Sequence, residues 1–228
     1  SLLTADYSQI EMRIMAHLSG DEQLIEAFKS GADFHAVTAS VVFGIGLDEV
    51  GADQRRKIKA MNYGLAYGLS AFGLANQLRI TPDEARGLME EYFKEFGGVR
   101  DYLQQVVSRA RMDGYTATMM GRRRYLPDLT SDNRQRREMA ERMALNAPIQ
   151  GSAADVIKVA MLAVDAALAP MRSRMLLQVH DELIIEVAPG EFDAVRDMVC
   201  AAMAGAASLR VPLDVSVGTG RSWAEASH

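Results

Sequence analysis

Apolar residues recur at helical spacing through the middle of the chain, whereas short apolar runs lie towards its two ends. Ile10, Ile14 and Leu18 share one helix face and predict a helix over residues 9–18. The same reasoning predicts further helices at 21–30, 34–43, 55–68, 70–78, 82–96, 98–112, 133–146, 152–168 and 191–204. Pro148 is expected to interrupt the pattern between residues 146 and 152.

Strands are predicted at 1–6, 175–179, 183–187 and 211–217, with a small hairpin over 115–125. Thr81, Pro82 and Glu84 form a capping-box signature, and Asp53 is the expected N-cap of the 55–68 helix. With strands at both ends and helices between them, the predicted class is α+β: an antiparallel sheet with a large, mostly helical insertion.

The helix over 55–68 carries an unusual stripe. Arg55, Lys59, Tyr63 and Tyr67 recur every fourth residue, so they share one face that runs from cationic to aromatic over roughly 18 Å. A nucleoside triphosphate has the same polarity, with phosphates at one end and sugar and base at the other. Basic residues alone would indicate only a solvated surface; the two tyrosines favour a nucleotide site.

Composition limits the cellular location and the kinds of partner that the chain can have. The chain has 228 residues, a formal net charge of −5 and one cysteine, Cys200. An intrachain disulfide and a cysteine-based metal site are therefore excluded, which fits a reducing, cytoplasmic location. No apolar run reaches the length of a membrane helix, so no membrane partner is expected. The net charge argues mildly against nucleic acid, but positive charge is concentrated at 55–59, 122–124 and 134–137.

Two aspartates lie where strands end. Asp6 ends the first predicted strand and Asp181 lies at the tip of the hairpin formed by 175–179 and 183–187. Carboxylates brought together from separate strands are the hard oxygen ligands that a pair of Mg²⁺ ions needs for phosphoryl transfer. A lone aspartate at a strand end is more often a turn residue, and spacing alone does not bring these two together.

Longer motifs carry a specific resemblance. Residues 6–13 (DYSQIEMR), 55–68 (RRKIKAMNYGLAYG) and 179–182 (VHDE) resemble motifs A, B and C of the bacterial family A DNA polymerases, in the same order. Residues 142–151 (RMALNAPIQG) resemble a further stretch of that family that faces primer-template DNA. The resemblance covers essentially the whole chain.

The resemblance implies a palm subdomain at 1–18 and 140–228 and a fingers subdomain at 19–139. The thumb, the first part of the palm and exonuclease-type domains are expected to be absent. The implied function is template-directed DNA polymerisation in replication and repair: two-metal transfer of deoxynucleotides to a primer 3′ end with release of pyrophosphate. Implied partners are primer-template DNA and deoxynucleoside triphosphates, and a monomer located in the cytoplasm at the nucleoid is expected.

Roles carry over residue by residue. The implied metal ligands for two Mg²⁺ ions are Asp6, the Tyr7 carbonyl and Asp181, and the implied catalytic residues are Asp6, Asp181, Glu182 and Lys59. The implied nucleotide-binding residues are Gln9, Glu11, His35, Arg55, Lys59, Tyr63 and Tyr67. The implied DNA-binding residues are Arg142, Asn146, Gln150 and His180.

The sequence leaves alternative roles open for several residues and for the chain as a whole. Without the resemblance, His35 beside Phe34 indicates a half-buried helix histidine, and Glu182 could serve only to orient its neighbours. Arg122, Arg123 and Arg124 form either a solvated hairpin edge or DNA backbone contacts. A related single-subunit RNA polymerase and a non-catalytic DNA-binding piece are the competing functions; Glu11, an acidic gate, favours the DNA enzyme.

Overall fold

The computed structural model describes residues 1–226, which form two compact units. One unit contains Ser1–Ile10 and the residues from Ser152 onward, and the other contains Glu11–Gly151. The strands are β1 Leu2–Tyr7, β2 Tyr115–Ala117, β3 Arg123–Tyr125, β4 Arg174–Val179, β5 Glu182–Glu186 and β6 Val215–Gly220. The helices are α1 Ile10–Ser19, α2 Glu22–Lys29, α3 Phe34–Phe43, α4 Ala52–Ala66, α5 Ala71–Leu78, α6 Pro82–Glu95, α7 Gly97–Asp113, α8 Arg134–Leu168, α9 Phe192–Ala204 and α10 Trp223–Ala226.

The first unit is built on a four-stranded antiparallel sheet in the order β4-β5-β1-β6. β1 is an inner strand, paired with β5 on one side and β6 on the other. Leu3 and Ala5 on one face and Thr4 on the other are fully buried, so both faces of the strand are covered. Helix α9 packs against β1 and β6. Helix α10 lies so close to β6 that a Cβ on Gly218 would stand 1.8 Å from the Ala226 carbonyl oxygen. The predicted α+β class is confirmed.

The second unit is mostly helical. α3 packs on α4, and α5 packs on α6. Short-range caps define several helix starts: Asp21 and Asp33 accept backbone N–H bonds at the starts of α2 and α3, and Thr81 with Glu84 forms the predicted capping box of α6. The hairpin β2–β3 occupies the region predicted for it.

Three local predictions were wrong. The N-cap of α4 is Gly51, so Asp53 lies inside the first turn, where it pairs with Arg56 and Lys57. Helix α8 continues through Pro148, because Ala144, Pro148 and Ile149 lie on a buried side whose packing outweighs the lost N–H bond.

The third error concerns the last strand, which pairs with β1 over Val215–Gly220 rather than 211–217. The apolar residues Val211 and Leu213 are buried without joining the sheet. Gly218 and Gly220 lie within this strand, at positions where α10 leaves no room for a side chain.

Candidate active site

The first unit brings three carboxylates together at one end of the sheet. Asp6 on β1 lies directly opposite Glu182 on β5 in the antiparallel register. Asp181 occupies the two-residue turn between β4 and β5, and its carbonyl accepts a hydrogen bond from the Tyr7 N–H at 3.3 Å. The residue before it, His180, adopts φ of 55°, a left-handed conformation that costs energy for a non-glycine residue and is common at functional turns.

Burial and the two neighbouring acids raise the pKa of Asp6 from 3.8 to about 7. Partial burial contributes most, followed by repulsion from Asp181 and then from Glu182. A carboxylate held against other carboxylates is relieved by a cation, so this donor set fits a divalent metal ion. Within residues 1–226, no group of three acidic, histidine or cysteine side chains is arranged for coordination; the expected ligands are two carboxylates and the Tyr7 carbonyl.

Glu182 has a fixed orientation. The indole N–H of Trp223 donates to Glu182 Oε2 at 3.1 Å, so the start of α10 holds this side chain from the sheet edge. Tyr7 is anchored on the other side, where its buried hydroxyl donates to the Met203 carbonyl at 2.7 Å. Tyr7, the neighbour of Asp6 in the chain, is thereby tied to α9, and Glu182, opposite Asp6 in the sheet, is tied to α10.

The second unit carries the stripe on α4. Arg55 donates through Nε and Nη2 to the Asp33 carboxylate at 3.2 and 2.7 Å, and this pairing lowers the pKa of Asp33. One turn further, Lys59 is exposed and has no ion-pair partner among the described residues. Tyr63 is half-buried, with its ring centroid 5.8 Å from that of His35. The opposite face, including Ile58, Met61 and Leu65, is buried.

Tyr67 lies just beyond the end of α4 rather than within it. Its hydroxyl bonds to the Glu11 carboxylate, with distances of 2.8 and 3.1 Å to the two oxygens, and it also hydrogen-bonds with Gln150. The next residue, Gly68, has φ of 67°, and a Cβ there would stand 3.2 Å from the Cα of Arg142 on α8. The end of α4 is therefore fitted closely against α8, and it joins three predicted site residues: Tyr67, Glu11 and Gln150.

His35 is almost completely buried, at 1% exposure, and burial lowers its pKa to about 4. Nearby charges modify this value: Asp33 raises the pKa, while Arg55 and Lys59 lower it. Asn62 Nδ2 lies 3.1 Å from His35 Nδ1, and the Tyr92 hydroxyl donates to Asn62 Oδ1 at 2.8 Å.

The remaining predicted residues fall on both units. Gln9 lies in the turn after β1 with φ of 56°. Arg142 and Gln150 are exposed and Asn146 is half-buried, all on α8; His180 is exposed at the hairpin tip. Among the hairpin arginines, Arg122 donates to the Gly151 carbonyl at 3.0 Å and Arg123 stacks over the Tyr115 ring.

Four contributors were missed in the sequence. Asp33, Asn62 and Trp223 contact predicted site residues, and Tyr92 donates to Asn62; none of the four was singled out. Asn62 carried the strongest available signal, because a polar residue on the apolar face of a helix needs a buried partner.

Comparison with known proteins identifies the class. The sequence profile described as DNA polymerase family A matches residues 1–225. The chain therefore belongs to family A of the DNA polymerases.

Named relatives agree. The chain is 66% identical over 229 aligned residues to DNA polymerase I of Mycobacterium tuberculosis (strain H37Rv), covering 100% of this chain and 25% of the relative. It is 49% identical to DNA polymerase I of Lactococcus lactis (strain IL1403), covering 99% of this chain and 26% of the relative.

A solved structure described as the POL domain of Pol1 from M. smegmatis, in complex with DNA primer-template and dNTP, superposes with a TM-score of 0.96. It is 63% identical, with 100% of this chain and 40% of that one covered. The chain thus spans about a quarter of the length of these curated relatives. Among the described residues, no helix is long and apolar enough to span a membrane.

Proposed function

We propose that the chain forms the catalytic part of a DNA-directed DNA polymerase, which transfers deoxynucleotides from their triphosphates to the 3′ end of a primer paired with a template. The observation that carries this proposal is a cluster of three carboxylates in a family A chain: Asp6 and Glu182 on adjacent strands and Asp181 in the turn that precedes Glu182. In each turnover a bond forms between the primer 3′ oxygen and the α-phosphorus, and the bond to pyrophosphate breaks.

We propose Mg²⁺ as the metal, with two ions held by Asp6, Asp181 and the Tyr7 carbonyl. When bound, such ions would supply charge stabilisation for the attacking and leaving oxygens. Glu182, oriented by Trp223, would act as an accessory carboxylate at the same sheet end.

The stripe on α4 would bind the triphosphate. Lys59 is an exposed cation without an ion-pair partner in the described chain, so it is available to phosphate oxygens and can donate a proton to the departing pyrophosphate. Arg55 already holds a carboxylate, Asp33, in a two-point geometry that phosphate also satisfies. Tyr63, one turn beyond Lys59, would contact the sugar and base, and Gln9 would line the sugar side.

We assign residues 1–18 and 140–228 to a palm subdomain and 19–139 to a fingers subdomain. The compact unit that contains β1, β4, β5 and β6 lies entirely within the proposed palm. Arg142, Asn146, Gln150 and His180 would contact primer-template DNA in the minor groove, whose acceptors are present in every base pair. The acting species would be a monomer.

The function is tested by primer extension. The wild-type sequence, placed in the matched segment of M. tuberculosis DNA polymerase I, should extend a primed template in the presence of Mg²⁺. Asp6→Ala and Asp181→Ala should each abolish extension while leaving the fold intact, because each removes a shared metal ligand. Asp165→Ala, an exposed aspartate on α8, is the matched control and should retain full activity.

Two results would contradict the proposal. Near-normal extension by either carboxylate variant would exclude the two-metal assignment. Failure of the wild-type chimaera to extend any primer would favour a non-catalytic DNA-binding role. Assay of the 228-residue chain by itself tests whether it polymerises without the rest of the longer protein.

A further inference from the structure

Asn62 lies on the buried face of α4, pointing away from the stripe, and its side chain is fully enclosed. It contacts three polar side chains from two other helices: His35 and Thr38 on α3, and Tyr92 on α6. A buried amide with this many partners links the nucleotide-binding helix to its neighbours through polar contacts.

The orientation of the Asn62 amide follows from its neighbours. The Thr38 hydroxyl donates to the Phe34 carbonyl at 2.9 Å, so Thr38 Oγ1 can only accept from Asn62 Nδ2, which lies 3.4 Å away. The buried Tyr92 hydroxyl donates to Asn62 Oδ1 on the other side. Both contacts turn the NH₂ group towards His35.

The tautomer of His35 is then determined. Asn62 Nδ2 donates to His35 Nδ1, so Nδ1 carries the lone pair and the hydrogen of the neutral ring is on Nε2. His35 Nε2 is buried, and it has no hydrogen-bond partner in the described part of the chain. A buried donor without an acceptor is costly, which indicates a site built to receive an acceptor from outside the protein.

The surroundings indicate which acceptor. His35 is flanked by the charged groups Asp33, Arg55 and Lys59, and its ring lies 5.8 Å from that of Tyr63 on the stripe. The Phe34 ring packs edge-on against the His35 ring, with 5.4 Å between the centroids. Tyr92 is linked to His35 through Asn62. An anion that binds Arg55 and Lys59 therefore comes close to a neutral N–H donor on His35.

We propose that Asn62, held by Tyr92, is a positioning residue of the nucleotide site: it keeps His35 in the Nε2–H tautomer so that His35 offers a neutral donor to the incoming triphosphate. The proposal rests on the nucleotide-binding function assigned above to the stripe. It adds that the buried residues Tyr92 and Asn62 determine that His35 Nε2 is a hydrogen-bond donor rather than an acceptor.

The direct test needs neither nucleotide nor catalysis. ¹⁵N NMR of the 228-residue chain distinguishes the two neutral tautomers of a histidine ring. The chain has only four histidines, so the signals of His35 can be assigned as those that disappear in His35→Gln. Wild type should show protonated Nε2 and unprotonated Nδ1 at pH 7. Asn62→Asp should put a hydrogen on Nδ1, either in the neutral Nδ1–H ring or in the imidazolium that the new carboxylate favours, because a carboxylate can only accept. Tyr92→Phe should yield a mixture, since the amide then loses the nearer of its two orienting partners and keeps only the longer contact to Thr38.

Thr38→Val is the matched control: it removes the longer contact of Asn62, at 3.4 Å, and leaves the 2.8 Å bond from Tyr92 to orient the amide, so the tautomer should be unchanged. An Nδ1–H tautomer in wild type, or an unchanged tautomer in Asn62→Asp, would overturn the proposal. So would a shift in Thr38→Val as large as that in Asn62→Asp, since it would indicate general repacking.

Steady-state kinetics of Asn62 variants in the M. tuberculosis chimaera provide a second test. Asn62→Leu should raise the deoxynucleotide KM about tenfold with little change in kcat, the size expected for one hydrogen bond to a charged group. In Asn62→Asp the KM should become pH-dependent between about pH 6 and pH 8, near the ordinary histidine pKa. A pH-independent KM in Asn62→Asp would contradict the proposal. If the chimaera still extends primers in that case, the positioning role of Asn62 fails while the polymerase assignment stands.

Discussion

At the scale of single residues, the environment of each side chain decides what its chemistry can do. Glu11 illustrates this, since its carboxylate is fixed by the Tyr67 hydroxyl at 2.8 and 3.1 Å. A side chain restrained in this way can exclude a substrate group by steric contact, whereas a mobile one would move aside. The same logic applies to Tyr63, whose ring is half-buried beside His35.

We predict that Glu11→Ala raises the relative kcat/KM for ribonucleotides. In the proposed site the Glu11 stem packs under the sugar and leaves no room for a 2′-hydroxyl, so selectivity comes from a clash with the wrong substrate. Competitive incorporation of ribo- and deoxynucleotides by the chimaera measures the ratio. Glu22→Ala, an exposed glutamate on α2, serves as control. An unchanged ratio in Glu11→Ala would place the gate elsewhere.

We predict weak discrimination against dideoxynucleotides, and that Tyr63→Phe increases it by roughly ten- to a hundredfold. A dideoxynucleotide lacks the 3′-hydroxyl and leaves a polar group unsatisfied in a desolvated pocket, at about 1–3 kcal/mol. The Tyr63 hydroxyl can replace that bond, and phenylalanine cannot. Single-turnover incorporation measures the selectivity, with Tyr125→Phe, an exposed tyrosine, as control. Equal ratios in wild type and Tyr63→Phe would end this explanation.

At the scale of elements, the helices are defined by caps and by tight approaches between backbones. At the junction of α4 with α8, the chain leaves the helix at Tyr67, and Gly68 lies directly against Arg142. A left-handed residue is needed there, and only glycine provides it without strain or steric overlap.

We predict that Gly68→Ala lowers the free energy of unfolding by about 1–3 kcal/mol. The added Cβ would meet the Arg142 Cα at 3.2 Å at a φ of 67°. Gly87→Ala is the matched control: it lies within α6 with nothing inside 4 Å of the new Cβ, so it should stabilise by about 0.5–1 kcal/mol. Urea unfolding measures both. An unchanged free energy of unfolding in Gly68→Ala would show that the junction can relax.

At the scale of the whole molecule, the sheet brings together residues that lie far apart in the chain. Asp6 meets Asp181 and Glu182 only because β1 pairs with β5. Burial in this position, followed by repulsion from the two neighbouring acids, raises the pKa of Asp6 to about 7. Folding therefore carries an electrostatic cost that a bound cation would remove.

We predict that the metal-free chain loses stability as the pH rises from about 4 to about 7. The pKa of Asp6 is 3.8 when exposed and about 7 when folded. The folded state thus holds this proton more tightly, and its stabilising effect is lost as the pH passes through the folded value. Thermal unfolding in EDTA measures the slope, and Asp6→Asn should remove this component of it. Mg²⁺ should raise the unfolding temperature most above pH 7. An identical slope in Asp6→Asn would contradict the shift.

The fold class and most helices could be read from local sequence patterns, and motif order supplied the predicted site residues. Periodicity, caps and motif order depend on neighbours within a few residues, which is why the capping box at Thr81 and the stripe from Arg55 to Tyr63 could be predicted. Other features follow from packing between distant parts of the chain. The strand register of β6, the passage of α8 through Pro148, the raised pKa of Asp6 and the tautomer of His35 all depend on burial and on partners distant in sequence. Such contacts form only when the elements pack together, so no local pattern encodes them.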